Sequence, residues 1–262
     1  MDHFAPIDSY VPTPHGRLFA RRWTPAKANG ASPIVLFHDS LGSVDQWRDF
    51  PALMAAATGR PTIAYDRLGF GRSDPNPQKL RPDFVQDEAH IGLRHIRAAF
   101  AIDRMILFGH SVGGGMAIAA GAAFADATDA VVTLAAQAFV EDRTIAGIEQ
   151  ARDAFQKDGQ VERLAKYHGD KARWVLDAWI ETWLAPAFAH WSLDDDLRGL
   201  RCPVLAIHGD QDEYGSRADL DRIAALAGGT AQEVLLAGCH HMPHREMPDH
   251  VLRLIGGFVG NM

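Results

Sequence analysis

A serine lies between two glycines at the end of an apolar run. Residues 105–109 read MILFG, and GHSVG then places Ser111 between Gly109 and Gly113, directly before an alanine-rich stretch. Glycine loses more backbone entropy on folding than other residues and packs no side chain, so folding alone gives little reason for this spacing. A sharp strand-to-helix turn does give a reason, because strand and helix approach closely on either side of an exposed serine hydroxyl. The spacing predicts that Ser111 is a nucleophile.

The chain supplies a candidate acid downstream of Ser111. A serine hydroxyl is a weak nucleophile until a neighbouring base takes its proton, and a third group must orient that base. Asp212, in the segment AIHGDQDEYG, follows an apolar run that reads as a strand. Active sites of open parallel sheets are built at such strand ends. Asp212 is therefore the expected acid, and Asp210 and Glu213 are the alternatives.

A candidate base comes last in the chain order. His241, in the segment LLAGCHHMPHREMPD, also lies just past a predicted strand, and His240 and His244 are its alternatives. The three histidines raise the question of a metal site, since imidazole is a zinc ligand. His-His-x-x-His is not a usual ligand spacing, and a Ser-His-Asp triad explains the group more simply. We expect His241 to be the base and no metal to be bound.

Short apolar runs alternate with helical stretches along most of the chain. Near-continuous apolar runs are typical of strands covered on both faces, and this alternation predicts an α/β fold with a parallel, doubly wound sheet. Residues 10–23, with His15 and Gly16 at the centre, predict an antiparallel hairpin at the sheet edge. The predicted strands are 33–38, 61–66, 105–109, 130–134, 203–208 and 233–236, and the predicted helices are 44–58, 84–100, 112–124, 217–227 and 248–258.

One interval breaks the alternation. Residues 137–199 contain no convincing strand but include tryptophans at positions 174, 179, 183 and 191. The four-residue spacing of Trp179 and Trp183 indicates one face of a helix. We predict a helical cap over residues 137–199, inserted into a core domain formed by residues 1–136 and 200–262.

The motifs together resemble the α/β-hydrolase family, in particular its compact capped members. The segments GHSVGG, GDQDEYG and HMPHREMP occur in the family's order, and LFHDSLGS and AYDRLGFGRSD match two of its loops. The resemblance covers residues from about 33 to the end, while the cap matches only in position and helical character. It implies the α/β-hydrolase fold, Asp212 and His241 as acid and base, and an oxyanion hole formed by the backbone N–H groups of Ser40 and Val112.

Three further residues are candidates for substrate contact. Asp39 stands where the family has a glycine, and an aspartate tolerates a left-handed backbone better than most residues. Its side chain is expected to lie in solvent on the loop. The alternative is that it places a carboxylate near the active site. Trp47 and Tyr214 lie close to the predicted loops and serve equally well as packing residues.

The predicted function is hydrolysis by a Ser-His-Asp triad through an acyl-enzyme. A short cap rich in Trp, Phe and Leu predicts a mostly apolar pocket for a small carboxylic ester or lactone, with no cofactor. The family resemblance also allows a carbon–carbon bond hydrolase, a cofactor-free haloperoxidase or a lyase. Met242 stands where carbon–carbon hydrolases commonly have a tryptophan after the base. A slow-turnover ligand receptor on the same fold is the alternative from another class.

Composition excludes several other classes of protein. The chain has 262 residues, of which 47% are hydrophobic and 23% charged, with a formal net charge of -7. This balance argues against extensive disorder and against a nucleic-acid partner, which needs a clustered positive surface. No segment reads as a signal peptide or membrane span, and Cys202 and Cys239 are not at metal-site spacing. We expect a cytoplasmic protein with a small-molecule substrate, and the sequence does not determine its oligomeric state.

Overall fold

An eight-stranded sheet forms the centre of the protein in the computed structural model, which describes residues 5–28 and 30–260. The strands are β1 Ile7–Thr13, β2 Gly16–Trp23, β3 Ile34–Phe37, β4 Thr62–Tyr65, β5 Met105–His110, β6 Thr128–Leu134, β7 Val204–Gly209 and β8 Ala231–Leu236. Their order across the sheet is β1-β2-β4-β3-β5-β6-β7-β8. The pairs β1–β2 and β2–β4 are antiparallel, and the other neighbours are parallel. The predicted mostly parallel sheet with an N-terminal antiparallel hairpin is confirmed.

Helices connect the parallel strands and cover the sheet. They are α1 Phe50–Thr58, α2 Phe84–Glu88, α3 Arg94–Ala99, α4 Val112–Ala123, α5 Asp142–Ala154, α6 Gln160–His168, α7 Ala172–Trp183, α8 Asp194–Gly199, α9 Arg217–Leu226, α10 Pro243–Glu246 and α11 Pro248–Gly260. Short 3-10 turns span Val44–Trp47, Ala125–Ala127, Gly169–Lys171 and Pro186–Phe188, and a π-helical turn spans Ala89–Leu93. Within the described ranges, none of the helices combines the length and apolar character needed to cross a membrane.

The hydrophobic core lies on both faces of the sheet. Successive residues of β5 point to opposite sides, so that Leu107 joins one buried cluster and Phe108 the other. The first cluster includes residues of α2, α4, α8 and α9, and the second includes residues of α1 and α11. A sheet covered on both faces explains the near-continuous apolar runs of its central strands.

The prediction of one continuous helix over 44–58 is wrong. It is divided into the 3-10 turn Val44–Trp47 and α1, because Arg48 adopts a left-handed backbone with φ 53° and ends the turn. Pro51 lies in the first turn of α1, where its missing N–H costs no hydrogen bond. The predicted helix over 84–100 likewise contains a π-helical turn, where the Glu88 carboxyl group lies against Gly92 and accepts a hydrogen bond from Tyr65.

Helices α5 to α8 fill the interval between β6 and β7, as the prediction of a helical insertion requires. His168 at the end of α6 holds this insertion to two loops of the sheet. Its Nδ1 accepts from the Gly71 N–H at 2.8 Å, and its Nε2 lies 3.0 Å from the Leu41 carbonyl oxygen. Helix α8 packs on α4 beside the sheet. The division into a core and a cap at residues 137 and 199 stays a prediction.

Candidate active site

The turn between β5 and α4 is strained and tightly packed. Ser111 has φ 56° and ψ -127°, a backbone conformation that residues other than glycine rarely adopt. A Cβ atom on Gly109 would lie 1.9 Å from the Gly113 carbonyl oxygen, and one on Gly113 would lie 2.3 Å from the Phe37 carbonyl oxygen. These contacts explain the glycine spacing, because only glycine lets β5, α4 and the end of β3 approach so closely.

The structure brings Asp212 and His241 together. His241 Nδ1 lies 2.8 Å from Asp212 Oδ2 and 2.9 Å from Oδ1, and the N–H groups of Tyr214 and Gly215 also donate to Oδ1. Burial raises the pKa of the Asp212 carboxyl, but the contacts with His208 and His241 outweigh burial and hold that pKa well below its usual range. An ionised carboxylate fixes the proton of His241 on Nδ1 and leaves Nε2 as an acceptor.

The alternative acids and bases have other partners. Asp210 Oδ1 accepts from the Gly238 N–H at 2.7 Å, and Glu213 Oε2 accepts from the backbone N–H of His241 at 3.2 Å. His240 is exposed, and its Nδ1 lies 3.1 Å from Glu246 Oε2. Among the residues that the structure describes, no group of three His, Cys, Asp or Glu side chains is arranged to hold a metal ion.

A buried glutamine that the sequence analysis missed lies next to Ser111. Ser111 Oγ donates to Gln137 Oε1 at 3.3 Å. In the part of the chain that the structure describes, Ser111 Oγ makes no hydrogen bond to His241. Gln137 lies three residues after the last residue of β6, and only 2% of its surface is exposed. Its signal in the sequence is a polar residue just after a buried parallel strand, the same signal that identified Asp212.

Two buried histidines also support the site. His208 on β7 places Nε2 3.0 Å from Asp212 Oδ2, an electrostatic contact in which the N–H does not point along the line to the oxygen. His110 places Nε2 2.7 Å from the backbone carbonyl oxygen of His241. His208 lies within the predicted strand 203–208 and His110 directly follows the predicted strand 105–109, so their contacts required the packing of the sheet to be known.

Two backbone N–H groups near Ser111 are free to bind an anion. Val112 begins α4, so its N–H has no partner within the helix. The Ser40 N–H makes no hydrogen bond within the described ranges either. Gly113 packs on the carbonyl groups of Phe37 and His38, and this contact holds the start of α4 beside the loop that carries Ser40.

A cavity of about 290 Å³ opens onto these residues. Ser40, Ser111, Gln137 and His241 are among the residues that line it. Leu41, Ile148, Trp179, Trp183 and Met242 supply most of the apolar wall, so side chains from the insertion form part of the pocket.

Two of the three candidate substrate contacts line the cavity, and the third lies in the core. Tyr214 lines the cavity, with its ring centroid 4.8 Å from that of His241. Asp39 is half-buried and also lines the cavity, and it does not have the left-handed backbone considered for it. The suggestion that Trp47 contacts substrate is wrong, because its side chain is buried against aromatic side chains, including Phe50 and His244, and does not reach the cavity.

The sequence matches a known family over most of its length. The model of the Alpha/beta hydrolase family matches residues 34–253. Human 1-acylglycerol-3-phosphate O-acyltransferase ABHD5 is 36% identical over 94 residues, which are 34% of this chain and 25% of that protein. The match therefore spans about a quarter of the length of this curated relative.

Solved structures share the fold along nearly the whole chain. The serine hydrolase CCSP0084 from Cycloclasticus zankles superposes with a TM-score of 0.79 at 17% identity, covering 98% of this chain and 99% of that chain. The enol-lactonase from Burkholderia xenovorans LB400 superposes with a TM-score of 0.73 at 20% identity, covering 96% of this chain and 100% of that chain. At these identities the similarity establishes the fold.

Proposed function

The chain belongs to the alpha/beta hydrolase family, and from this premise we propose that it is a hydrolase that cleaves small carboxylic esters or lactones through an acyl-enzyme on Ser111. The observation that carries the proposal is the contact between His241 Nδ1 and the Asp212 carboxylate, at 2.8 Å, beside the strained turn of Ser111. A histidine fixed in this tautomer is the base that a serine nucleophile requires.

The proposed reaction has two halves. Ser111 Oγ attacks the carbonyl carbon while His241 Nε2 takes the hydroxyl proton, and the ester oxygen leaves after His241 returns that proton to it. Water then attacks the acyl-enzyme with His241 as base, which releases the acid and restores the Ser111 hydroxyl. Asp212 stays ionised throughout and stabilises the imidazolium that forms in each half.

The N–H groups of Val112 and Ser40 form the proposed oxyanion hole. Both groups lack hydrogen-bond partners among the described residues, and both lie at the loops that flank Ser111. Donors that are held in place before the reaction stabilise the negative charge of the tetrahedral intermediate, and losing one such donor typically costs about 10²–10³ in kcat.

The substrate class follows from the cavity. A volume of about 290 Å³ with a largely apolar wall suits a small acyl group and a small leaving group. The apolar side chains come partly from α5 and α7, so the insertion selects substrates by size and apolar character.

The test is a steady-state assay of the wild type and Ser111→Ala on short acyl esters, lactones and one vinylogous diketo acid. Ser111→Ala is expected to lower kcat on the ester or lactone by on the order of 10⁴-fold or more. The control is Ser9→Ala, a serine of β1 remote from the site. Full activity of Ser111→Ala would contradict the proposal. Serine-dependent cleavage of the diketo acid alone would replace it with carbon–carbon bond hydrolysis, and ligand-dependent partner association without turnover would replace it with a receptor.

A further inference from the structure

The contact between Ser111 and Gln137 has a defined direction. Gln137 Nε2 donates to the Ala135 carbonyl oxygen at 3.3 Å, and a backbone carbonyl only accepts hydrogen bonds. The amide oxygen of Gln137 therefore faces Ser111 and accepts the proton of Oγ at 3.3 Å. In this arrangement Gln137, rather than His241, holds the proton that the proposed reaction must move.

This arrangement creates a conflict when the reaction begins. The Ser111 hydroxyl has a single proton, and attack on a carbonyl requires it to point to His241. Gln137 Oε1 then loses its only donor in the described part of the chain, although 98% of the residue is buried. A buried acceptor left without a donor is penalised, and a substrate that fills the cavity excludes the water that would replace the lost donor.

The neighbouring side chains do not resolve the conflict. Thr144 also lines the cavity, but its hydroxyl donates to the Tyr214 carbonyl oxygen at 2.6 Å. Ile148 and Trp183 present apolar surface there. The hydrogen bonds of the described residues give Gln137 Oε1 no second donor, so a donor on the substrate would replace the one that is lost.

The position of that donor follows from the geometry of attack. The reacting carbonyl carbon approaches to about 3–3.5 Å from the nucleophile before bond formation. A substituent on the adjacent carbon lies two bonds away and reaches the region beside Oγ where Gln137 Oε1 sits, at 3.3 Å. A hydroxyl at that carbon has the donor that Oε1 needs.

We propose that Gln137 is a specificity-determining residue that selects esters and lactones of 2-hydroxy acids. The inference rests on the proposed function, because it assumes that Ser111 attacks an acyl carbon. The substrate hydroxyl donates to Gln137 Oε1 in place of Ser111, which frees the Ser111 proton for His241. An acyl group without this hydroxyl leaves Gln137 unpaired at the moment of attack.

The test compares three esters with one leaving group: ethyl lactate, ethyl propionate and ethyl 2-methoxypropionate. The methoxy compound keeps the electron-withdrawing oxygen but has no donor, so it separates hydrogen bonding from intrinsic reactivity. The wild type is expected to favour lactate over both others by about tenfold or more in kcat/KM, the range for leaving a buried polar group unpaired. Equal kcat/KM for lactate and the methoxy compound overturns the inference.

Variants of Gln137 complete the test. Gln137→Met removes the amide at similar volume and is expected to reduce the preference for lactate to within about threefold, while Gln137→Glu keeps an acceptor and keeps the preference. Gln156→Met, at an exposed position in the insertion, is the matched control. Labelling of Ser111 by a fluorophosphonate shows that each variant is folded at the site.

The outcomes separate this inference from the proposed function. Ser111-dependent hydrolysis of all three esters at similar rates, or an unchanged lactate preference in Gln137→Met, overturns the role of Gln137 alone. Absence of Ser111-dependent hydrolysis of every ester and lactone overturns the proposed function and this inference with it.

Discussion

His110 Nε2 lies 2.7 Å from the backbone carbonyl oxygen of His241, a contact between residues 131 positions apart in the chain. Burial lowers the pKa of His110 to about 4, so its imidazole is neutral at ordinary pH and donates the proton on Nε2. The bond joins the end of β5, directly before Ser111, to the loop that carries His241. The relative position of the proposed nucleophile and the proposed base therefore depends on a residue that bonds to neither reacting atom.

Replacing His110 tests this connection. His110→Leu leaves the His241 carbonyl oxygen without its buried donor and is expected to lower the free energy of unfolding by about 1–3 kcal/mol. His110→Gln retains an N–H donor and is expected to lose less. Urea denaturation followed by circular dichroism measures both values, and equal stability of His110→Leu and the wild type would contradict the structural role.

Asp212 and Asp210 offer a matched pair of substitutions. Asp212→Asn removes the charge that fixes the His241 tautomer and is expected to lower kcat by about 10⁴-fold, as in other triads. Asp210→Asn is expected to keep kcat close to wild type, because its carboxylate accepts from the Gly238 N–H instead. Steady-state kinetics on an ester substrate checks both, and a larger loss in Asp210→Asn would reassign the acid.

The close approach at Gly113 predicts a large loss of stability. A Cβ atom there would lie 2.3 Å from the Phe37 carbonyl oxygen, so Gly113→Ala must displace backbone and is expected to lower the free energy of unfolding by about 3 kcal/mol or more. Gly257→Ala is the control, since no atom lies within 4 Å of its added methyl group in α11. It is expected to raise stability by about 0.5–1 kcal/mol. Thermal unfolding compares the two.

The buried Asp219 carboxyl group, next to Glu141, predicts a loss of stability as the pH rises from 3.8 towards about 8. Burial, and then the neighbouring Glu141 carboxyl, raise the pKa of Asp219 to about 8, although the N–H groups of Ala138 and Ser216 oppose the shift. In the folded state Asp219 therefore keeps its proton at pH values where the unfolded chain has released it, because the ordinary pKa of the carboxyl is 3.8. The stabilisation is complete below that value and is lost as the pH rises towards about 8.

The variant Glu141→Gln tests this dependence. It removes the neighbouring carboxyl group that helps to raise the pKa of Asp219, so the decline in stability between pH 6 and 8, on the order of 2 kcal/mol, is expected to become smaller. Glu149→Gln, at an exposed position of the same helix α5, should keep the wild-type decline. Urea denaturation across this pH range provides the measurement, and an identical decline in Glu141→Gln would contradict a contribution of Glu141 to the raised pKa of Asp219.

The positions of Ser111, Asp212 and His241 were predictable because each follows a strand with a clear apolar pattern. Parallel strands end at the same edge of a sheet, so polar residues directly after β5, β7 and β8 gather there once the strands are recognised. Local patterns of this kind also predicted the hairpin and most helices. Their success reflects the near-continuous apolar runs of strands that are buried on both faces.

The contacts of Gln137, His208 and Trp47 were not predictable in the same way. The direction in which a side chain points depends on packing between segments far apart in the chain, such as β5 against the loop after β8. Trp47 follows the loop of Ser40 in sequence, but its side chain packs in the core against Phe108. Sequence proximity to a predicted loop is therefore a poor guide to contact with substrate.

Covalent modification by a fluorophosphonate tests the assignment of Ser111 most directly. Intact-protein mass and peptide mapping identify the modified residue. One adduct is predicted, on Ser111, and it should be absent in Ser111→Ala and strongly slowed in His241→Ala, with His240→Ala as the control. An adduct on another residue, or labelling of His241→Ala at the wild-type rate, would contradict the assignment of Ser111 as a nucleophile activated by His241.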